Sequence, residues 1–296
     1  MKKKLFSLLL MLVCLLSGAA AAEIVFEDAL GREVRLGSAE RIAVASGSLA
    51  ECWMLAGGEI TAVTQDAFEE RALRLPADTV NLGSLKEPSM ELILQLKPDL
   101  LILMPTLQKH LNMAETLDRA GISYAYFEME SFRDYLAVLK TFTDITGRED
   151  LYLQNGAALQ PQIDAAVDAC SCAGKKVLLL RTSSVKIKAL DSATMVVSML
   201  AEFGCENIAD SNSVLLSELS LEAIVQANPD YIFIVCMGDE AEAVAQLESS
   251  YASNLVWQKL DAVKNGRCHY LPKELFHYKP NARWGESYEM LASLLE

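Results

Sequence analysis

Short, continuously apolar runs alternate with longer stretches of helical spacing from about residue 41 onward. The apolar runs include RIAVAS (41–46), ITAVT (60–64), LLIL (100–103), KVLLLR (176–181) and YIFIV (231–235). Strands that are apolar at every position are typical of parallel sheets, because helices cover both faces of such sheets. The segments between them place apolar residues three and four apart, as amphipathic helices do. The pattern predicts an α/β fold with parallel sheets.

One helix-and-strand pattern occurs twice. SMELILQLKPDLLIL begins at Ser89 and SLEAIVQANPDYIFI begins at Ser220, and Ser, Glu, Ile, Gln, Pro and Asp coincide in register, 131 residues apart. Each serine is a candidate N-cap, and Glu91 and Glu222 fall in the first helical turn, where a carboxylate suits the helix dipole. Two copies at this separation predict two Rossmann-like lobes of similar architecture rather than a solenoid.

Between the two copies lies a mostly helix-forming segment, in which Gly156 and Pro161 suggest a bend. About 270 residues after the leader suit two cores better than one. We therefore interpret this helix-forming segment as a single long α-helix that joins two lobes. The predicted organisation is a signal peptide (1–22), an N-terminal lobe (23–147), a bridging helix (148–173) and a C-terminal lobe (174–296).

The first residues, MKKKLFSLLLMLVCLLSGAAAAE, have the pattern of a secretory signal. Three lysines precede an apolar run that is short for a membrane span, and three alanines offer a cleavage site before Glu23. An uncleaved anchor is a weaker alternative. Acylation at Cys14 is also disfavoured, because Val13 stands where a small residue is needed. We therefore expect a periplasmic or extracytoplasmic chain, cleaved near Ala22, without a lipid anchor.

The composition restricts the classes of partner. The formal charge is −14, and it becomes −17 without the three lysines of the leader, with 23 basic against 40 acidic residues. Such a chain repels phosphate backbones, so nucleic-acid binding is not expected.

Six cysteines follow the leader: Cys52, Cys170, Cys172, Cys205, Cys236 and Cys268. Six cysteines allow 15 pairings, and the sequence does not choose among them. Cys170-Ser171-Cys172 resembles half of a metal or redox motif, but no second half accompanies it. The simpler interpretation is an ordinary helix end.

Further segments complete a family pattern: DALGREVRL (28–36), ERIAVASGS (40–48) and WQKLDAVKNGRCHYLP (257–272). Together with the two repeats, they resemble periplasmic substrate-binding proteins for iron–siderophore complexes, cobalamin and haem. The resemblance implies two lobes bridged by a rigid helix, a ligand held between them, and delivery to the permease and ATPase of an ABC importer in the inner membrane. It implies no enzymatic activity and no resident cofactor, although the ligand would contain iron or cobalt. A monomer is expected.

The resemblance also gives the repeated glutamates a role. In the family, one glutamate at the matching place on each lobe docks on arginines of the permease, so Glu91 and Glu222 are expected to do so. The alternative is that each merely compensates the helix dipole, which contributes about 0.3–1 kcal/mol.

In parallel α/β sheets, ligands bind beyond the carboxyl ends of the strands. In the first lobe this rule selects the loops that carry Ser46, Ser48, Asp66 and Lys86, and Gly47 would let the backbone and helix N–H groups approach an anion. In the second lobe it selects the loop that begins at Arg181.

The loop KELFHYKPNARW (273–284) concentrates aromatic and basic side chains. Aromatic faces bind macrocyclic ligands, and cationic groups bind carboxylates. Candidate binding residues here are Phe276, His277, Tyr278, Lys279, Arg283 and Trp284. His277 or Tyr278 could ligate haem iron, or Lys279, Arg283 and Arg181 could hold an anionic siderophore or the polar groups of a corrinoid. The alternative is a packed cap, with Trp284 in the core and Arg283 in a salt bridge.

Other classes fit the sequence less well. Three histidines, His110, His269 and His277, form no motif for a bare metal ion. SGSLAE lacks the Gly-x-Ser-x-Gly elbow, and CAGKK lacks the spacing of a phosphate-binding loop. A secreted hydrolase is the alternative function. An adhesin or structural surface protein is disfavoured, because low-complexity linkers are missing from the sequence.

Overall fold

The computed structural model of the chain describes residues 23–170 and 172–296. The predicted signal peptide, with Cys14 and the cleavage site, lies outside the described residues. The described chain opens with an antiparallel hairpin of β1 (Ile24–Glu27) and β2 (Glu33–Leu36). No helix in the described ranges has the length and apolar character that crossing a bilayer requires.

The first lobe is built on a five-stranded, wholly parallel sheet in the order β5-β4-β3-β6-β7. Its strands are β3 (Ile42–Val44), β4 (Ala62–Val63), β5 (Val80–Asn81), β6 (Leu100–Leu103) and β7 (Tyr124–Tyr126). Its helices are α1 (Gly47–Leu55), α2 (Asp66–Glu69), α3 (Met90–Leu96), α4 (Gln108–Leu111) and α5 (Ala114–Ala120). Every residue of β3 and β6 is buried, as the continuous apolar runs predict.

The connection between the sheets is helical but broken. It comprises α6 (Phe132–Thr146), α7 (Glu149–Asn155), the 3-10 turn Ala157–Leu159 and α8 (Gln160–Ala169). The connection is therefore not the single long α-helix predicted over 148–173, but its break lies at Gly156, where the sequence suggests a bend. The chain bends at Gly156, where an added Cβ would lie 2.9 Å from the side chains of Leu136 and Leu139. Pro161 falls in the first turn of α8, where a missing N–H is tolerated.

The second lobe has a sheet in the order β10-β8-β11-β12, all parallel, with β9 antiparallel beside β8. Its strands are β8 (Lys176–Thr182), β9 (Ile187–Ala189), β10 (Glu206–Asn207), β11 (Tyr231–Cys236) and β12 (Cys268–Leu271). Its α-helices are α9 (Met195–Glu202), α10 (Ser213–Ser217), α11 (Leu221–Ala227), α12 (Glu240–Leu247), α13 (Asp261–Lys264), α14 (Lys273–Phe276) and α15 (Trp284–Leu295). Shorter helical turns span Glu248–Ala252, Trp257–Lys259 and Asn281–Arg283.

The repeated sequence forms the same structure in both lobes. The hydroxyl of Ser89 accepts the Leu92 N–H at 3.3 Å, and that of Ser220 accepts the Ala223 N–H at 3.2 Å. The two helices, α3 and α11, each end in a left-handed residue, Lys97 or Asn228, directly before the proline. The α/β fold with parallel sheets is thus as predicted.

One apolar core extends through both lobes and the connection. Trp53 of α1 packs edge-on against Phe142 of α6, and Phe132 packs against Trp284 of α15. Farther along α15, Tyr288 contacts Phe203 beside α9. Because close-packed aromatic contacts deform little, this shared core favours small movements between the lobes. The lobe boundaries given by the sequence stay predictions.

Candidate ligand-binding cleft

A cavity of about 300 Å³ lies between the two lobes, at the carboxyl ends of their strands. The first lobe contributes Ser46, Ser48 and Asp66, and the second contributes Arg181 and the loop that follows α14. The side chains that line it are those of Ser46, Ser48, Leu49, Asp66, Glu70, Arg71, Leu85, Met104, Phe127, Glu128, Met129, Glu130, Arg181, His277, Tyr278 and Lys279. The strand-end rule therefore identified residues that the fold brings together.

On the first-lobe wall, the N-terminus of α1 is already occupied by a carboxylate. Ser46 caps the helix by accepting the Leu49 N–H at 3.5 Å, and Asp66 Oδ2 accepts the Gly47 N–H at 2.7 Å. A Cβ on Gly47 would lie 2.9 Å from the backbone nitrogen of Ala67, so the close approach needs glycine. The expectation that this helix end receives an anionic ligand is thus weakened, because Asp66 takes that place.

Arg71 is a cleft residue that the sequence reasoning missed. Its side chain is 9% exposed and forms an ion pair with Glu51. It also donates to the carbonyl of Lys279 at 3.1 Å and to the hydroxyl of Ser48 at 3.4 Å. Burial lowers the pKa of Arg71 to about 10, so it remains charged at neutral pH. The available signal was a cation just beyond α2, the short helix that Asp66 begins.

The second-lobe wall carries two neighbouring groups of different chemistry, His277 and Tyr278. Burial, and after it the neighbouring Arg181, Lys273 and Lys279, lower the pKa of His277 to about 4, so its imidazole is neutral at pH 7. Tyr278 keeps its phenol proton, because burial raises its pKa to about 12. A neutral imidazole can ligate a metal, and a protonated phenol can donate a hydrogen bond.

Arg181 lies at the end of β8 and lines the cavity. Across residues 23–170 and 172–296 its guanidinium has no carboxylate within ion-pair distance. Lys279, in contrast, places its Nζ 2.6 Å from Glu130 Oε1. Arg181 is therefore the cleft cation best able to receive an anionic group from a ligand.

A second cavity, of about 320 Å³, adjoins the first and shares Glu128, Glu130, Arg181, His277 and Lys279 with it. Phe276 lines this second cavity beside apolar residues of β8 and β11. Burial, with the nearby Glu130, raises the pKa of Glu128. The cleft thus combines cations, carboxylates and apolar surface.

Three predicted binding residues lie elsewhere. Lys86 is exposed and lines neither cavity, whereas its neighbour Leu85 lines the first. Arg283 donates to both carboxylate oxygens of Glu286, each at 2.7 Å. Trp284 is 0% exposed, because it begins α15 on the face that packs into the core. Arg283 in a salt bridge and Trp284 in the core are the placements that the alternative of a packed cap predicts. The prediction that Lys86, Arg283 and Trp284 line the cleft is therefore wrong.

Asn281 joins the two walls at one side of the cleft. Its amide donates to the Ser48 carbonyl at 3.1 Å and to Glu51 at 2.7 Å, and its backbone is left-handed, with φ of 51°. Asparagine tolerates that conformation better than most residues. The loop after α14 is thereby fixed to α1 of the other lobe.

Glu91 and Glu222 are exposed in the first turns of α3 and α11. Within the part of the chain that the structure describes, neither carboxylate has an ion-pair or hydrogen-bond partner. Both are therefore available to an external partner, and their role in docking stays a prediction.

Comparison with known proteins gives a family match over most of the chain. The model of the family described as "Periplasmic binding protein" matches residues 42–275. The putative ABC transporter substrate-binding lipoprotein YhfQ of Bacillus subtilis is 24% identical over 206 residues, which cover 66% of this chain and 63% of YhfQ. The petrobactin-binding protein YclQ of the same organism is 27% identical over 202 residues, or 64% of this chain and 60% of YclQ. The match thus spans less than two thirds of these relatives.

Solved structures share the fold over nearly their whole length. FeuA of Bacillus subtilis, complexed with ferri-bacillibactin, superposes with a TM-score of 0.72 at 17% identity, covering 91% of this chain and 98% of FeuA. IsdE of S. aureus, complexed with heme, gives 0.70 at 17% identity, covering 86% and 98%.

Proposed function

The chain belongs to the periplasmic binding protein family, and from that premise we propose that it is the extracytoplasmic substrate-binding component of an ABC importer. It captures one iron complex between its lobes and delivers that complex to a permease. The observation that carries the proposal is the cleft cavity, which both lobes line and in which Arg181 faces the cavity without a carboxylate partner in the described chain. Relatives named as binding petrobactin and Fe(3+)-citrate support this class of ligand.

The ligand class follows from the chemistry of the cleft. A ferric chelate presents carboxylate, catecholate or hydroxamate oxygens, and Arg181 and Lys279 are placed to receive them. Phe276 and the apolar residues of the second cavity would contact the organic part of the chelate.

Haem is the second candidate, and the state of His277 favours it. The imidazole is half-buried, lines both cavities and is neutral at pH 7, as an axial ligand must be. Tyr278 is the alternative axial ligand, although its raised pKa disfavours the phenolate. A Soret band that shifts in His277→Ala and is unchanged in Tyr278→Phe would select this candidate.

Delivery to the permease would use the two exposed glutamates. Glu91 and Glu222 occupy equivalent positions on the two lobes, so a single pseudo-symmetric partner could receive both. Cationic side chains on a permease would complement these two carboxylates. An ATPase would drive release of the iron complex from the cleft. The carrier acts as a monomer, without a resident cofactor and without nucleic acid.

Location and anchoring are part of the proposal. A family of periplasmic binding proteins acts outside the cytoplasm, and cleavage before Glu23 would release the chain there. The relative YhfQ is named a lipoprotein, which counts against our expectation that the chain has no lipid anchor. The mass of the mature N-terminus distinguishes cleavage before Glu23 from acylation at Cys14.

The test is an equilibrium titration of the mature protein, followed by fluorescence and absorbance. The probes are ferric citrate, ferric petrobactin, haem and cyanocobalamin. We expect saturable 1:1 binding of at least one iron complex. If cyanocobalamin were the only probe to bind, the cargo would be a cobalt complex and not an iron complex. Turnover of chromogenic esters or glycosides, with no binding of any probe, would favour the secreted hydrolase, which none of the comparisons supports.

A further inference from the structure

Cys170 and Cys172, one residue apart in the sequence, lie close to the distant Cys205 in the second lobe. Cys170 closes α8, and its Sγ lies 3.7 Å from that of Cys172. The Cys172 N–H donates to the carbonyl of Phe203 at 3.1 Å, which places Cys172 beside the segment that carries Cys205. All three cysteines are buried, and the neighbouring Cys172 thiol adds to the burial that raises the pKa of Cys205. Cys205 is thus the partner that the Cys-Ser-Cys motif lacks in the linear sequence.

This thiol cluster (Cys170, Cys172 and Cys205) lies where several elements of the second lobe and the connection meet. The Cys172 thiol donates to the carbonyl of Leu295, the last residue of α15, at 3.6 Å. The connecting helices, the start of β8 and the C-terminal helix therefore meet at the cluster. Among the described residues, no group of three or more His, Cys, Asp and Glu side chains is arranged to hold a metal ion, so the cluster is not a metal site of that kind. Thiol–disulfide exchange is the chemistry open to neighbouring cysteines of this kind.

We propose that Cys172 and Cys205 form a disulfide in the exported protein, with Cys170 as a third thiol placed to exchange with that bond. The two residues belong to adjacent backbone segments, which are joined by hydrogen bonds at Cys172–Phe203 and Gly174–Gly204, both 3.1 Å. Disulfides commonly bridge such neighbours, whereas Cys170 and Cys172, one residue apart, would close a small and strained ring. The inference rests on the proposed extracytoplasmic location, where disulfides form and persist.

The reaction is a two-electron oxidation by an external disulfide. The Cys205 thiolate attacks one sulfur of the oxidant, forming a mixed disulfide and releasing one oxidant thiolate. The Cys172 thiolate then attacks the Cys205 sulfur, which forms the Cys172–Cys205 bond and releases the second oxidant thiolate. Two protons leave the cysteines, and the oxidant is reduced to two thiols.

The timing of the reaction follows from burial. Desolvation raises the pKa of Cys205 to about 12 and that of Cys170 to about 11, so the folded, reduced protein holds little thiolate at these sites. Because the thiolate is the nucleophile, the bond forms during folding, before the cluster is buried. Protein that folds under reducing conditions should then keep its thiols for a long time.

The test is refolding of the reduced protein, residues 23–296, in a buffer of reduced and oxidised glutathione. The product is then alkylated in denaturant without a reductant, weighed intact and mapped by peptide mass. We expect four of the six cysteines to be alkylated, with Cys172 joined to Cys205. Reduction should lower the Tm by roughly 5–10 °C.

Matched variants separate the cluster from the other cysteines. Cys268→Ser, outside the cluster, should leave the same two cysteines protected, whereas Cys205→Ser should leave all five remaining cysteines open to alkylation. Alkylation of all six cysteines in the refolded wild-type protein, or a bond between a different pair, would overturn the proposal. Because the redox buffer supplies the oxidant and no iron complex is used, this result is independent of the ligand titration. Either proposal can therefore fail alone.

Discussion

Lys279 and Glu130 form an ion pair across the cleft, with Nζ of the lysine 2.6 Å from Oε1 of the glutamate. Glu130 follows the last strand of the first lobe, and Lys279 lies in the last loop of the second. The same lysine accepts a hydrogen bond from Arg71 through its carbonyl, at 3.1 Å. Both the backbone and the side chain of Lys279 thus join the two lobes beside the cavity.

Removal of the lysine ammonium should weaken the binding of an anionic iron complex. In Lys279→Ala, Glu130 and Glu128 face the cavity without this cation, and the pKa of Glu128 should rise further, because Lys279 now lowers it. We expect an affinity loss of about 1.5–3 kcal/mol, the usual contribution of a hydrogen bond to a charged group. Isothermal titration with the tightest-binding probe measures the loss. Unchanged affinity in Lys279→Ala would show that the ligand does not contact this wall.

Arg181→Ala should reduce affinity with little change in stability. The guanidinium has no carboxylate partner in the described chain, so its removal breaks no ion pair and leaves no charge unpaired. Loss of a charge-assisted contact to the ligand should cost about 1.5–3 kcal/mol of binding free energy. Lys86→Ala is the matched control, since Lys86 is exposed and lines neither cavity. Equal effects of the two substitutions on affinity would contradict the placement of the site.

His277 should make the protein less stable in mild acid. Its pKa is about 4 in the folded protein, below the ordinary value of 6.5, so the unfolded chain binds the extra proton more readily. The free energy of unfolding that the neutral His277 contributes is fully present above pH 6.5. It is lost as the pH falls from 6.5 toward 4. The effect should be of the order of 2–3 kcal/mol.

Urea unfolding of the wild type and of His277→Gln, measured between pH 4 and 7.5, checks this prediction. The variant should lose stability less steeply below pH 6.5. Identical slopes for the two proteins would show that His277 does not titrate as its burial implies.

Reversing both repeated glutamates should abolish uptake and spare binding. In the Glu91→Lys, Glu222→Lys double variant, each lysine replaces a carboxylate in a first helical turn, which should cost about 0.3–1 kcal/mol of stability per site. Cellular uptake of the labelled iron complex and its affinity in solution are measured in parallel. The matched control is Glu149→Lys with Glu242→Lys, which changes exposed first-turn glutamates of α7 and α12. Normal uptake by the first double variant would exclude the docking role.

Gly156→Ala should destabilise the protein by about 1–3 kcal/mol, the usual effect of overpacking. The new Cβ would lie 2.9 Å from Leu136, from Leu139 and from the carbonyl of Tyr152, so the bend between α7 and the following turn must shift. Gly37→Ala is the control, because nothing lies within 4 Å of its Cβ position and its φ is not positive. Denaturant unfolding compares the two variants, and equal stabilities would show that the bend accommodates a methyl group.

Local signals made the fold predictable. Ser89 and Ser220 cap helices by accepting an N–H from three residues later in the chain. Pro98 and Pro229 follow the ends of those helices, so neighbouring residues alone determine where each helix begins and ends. In the connection, Gly156 and Pro161 indicated a bend, but the sequence did not show that the helix is divided there. Gly156 needs its small size because of α6, which packs against it from an earlier part of the chain.

The site was predictable where topology alone places a residue. Asp66 follows β4 and Arg181 lies at the end of β8, and parallel strands bring their carboxyl ends to one edge. Arg71 was missed because its approach to Lys279 depends on how the lobes pack. Trp284 was placed in the cleft wrongly, because the composition of a loop does not reveal which side chains face the core.

The most direct test is a crystal structure of the mature protein with the iron complex that binds it most tightly. The ligand should lie between Ser48 and Asp66 on one lobe and Arg181 and His277 on the other, with a guanidinium nitrogen of Arg181 within about 3 Å of a ligand oxygen. A ligand bound on the outer surface, or a cleft that stays empty while the ligand is bound elsewhere, would contradict capture between the lobes.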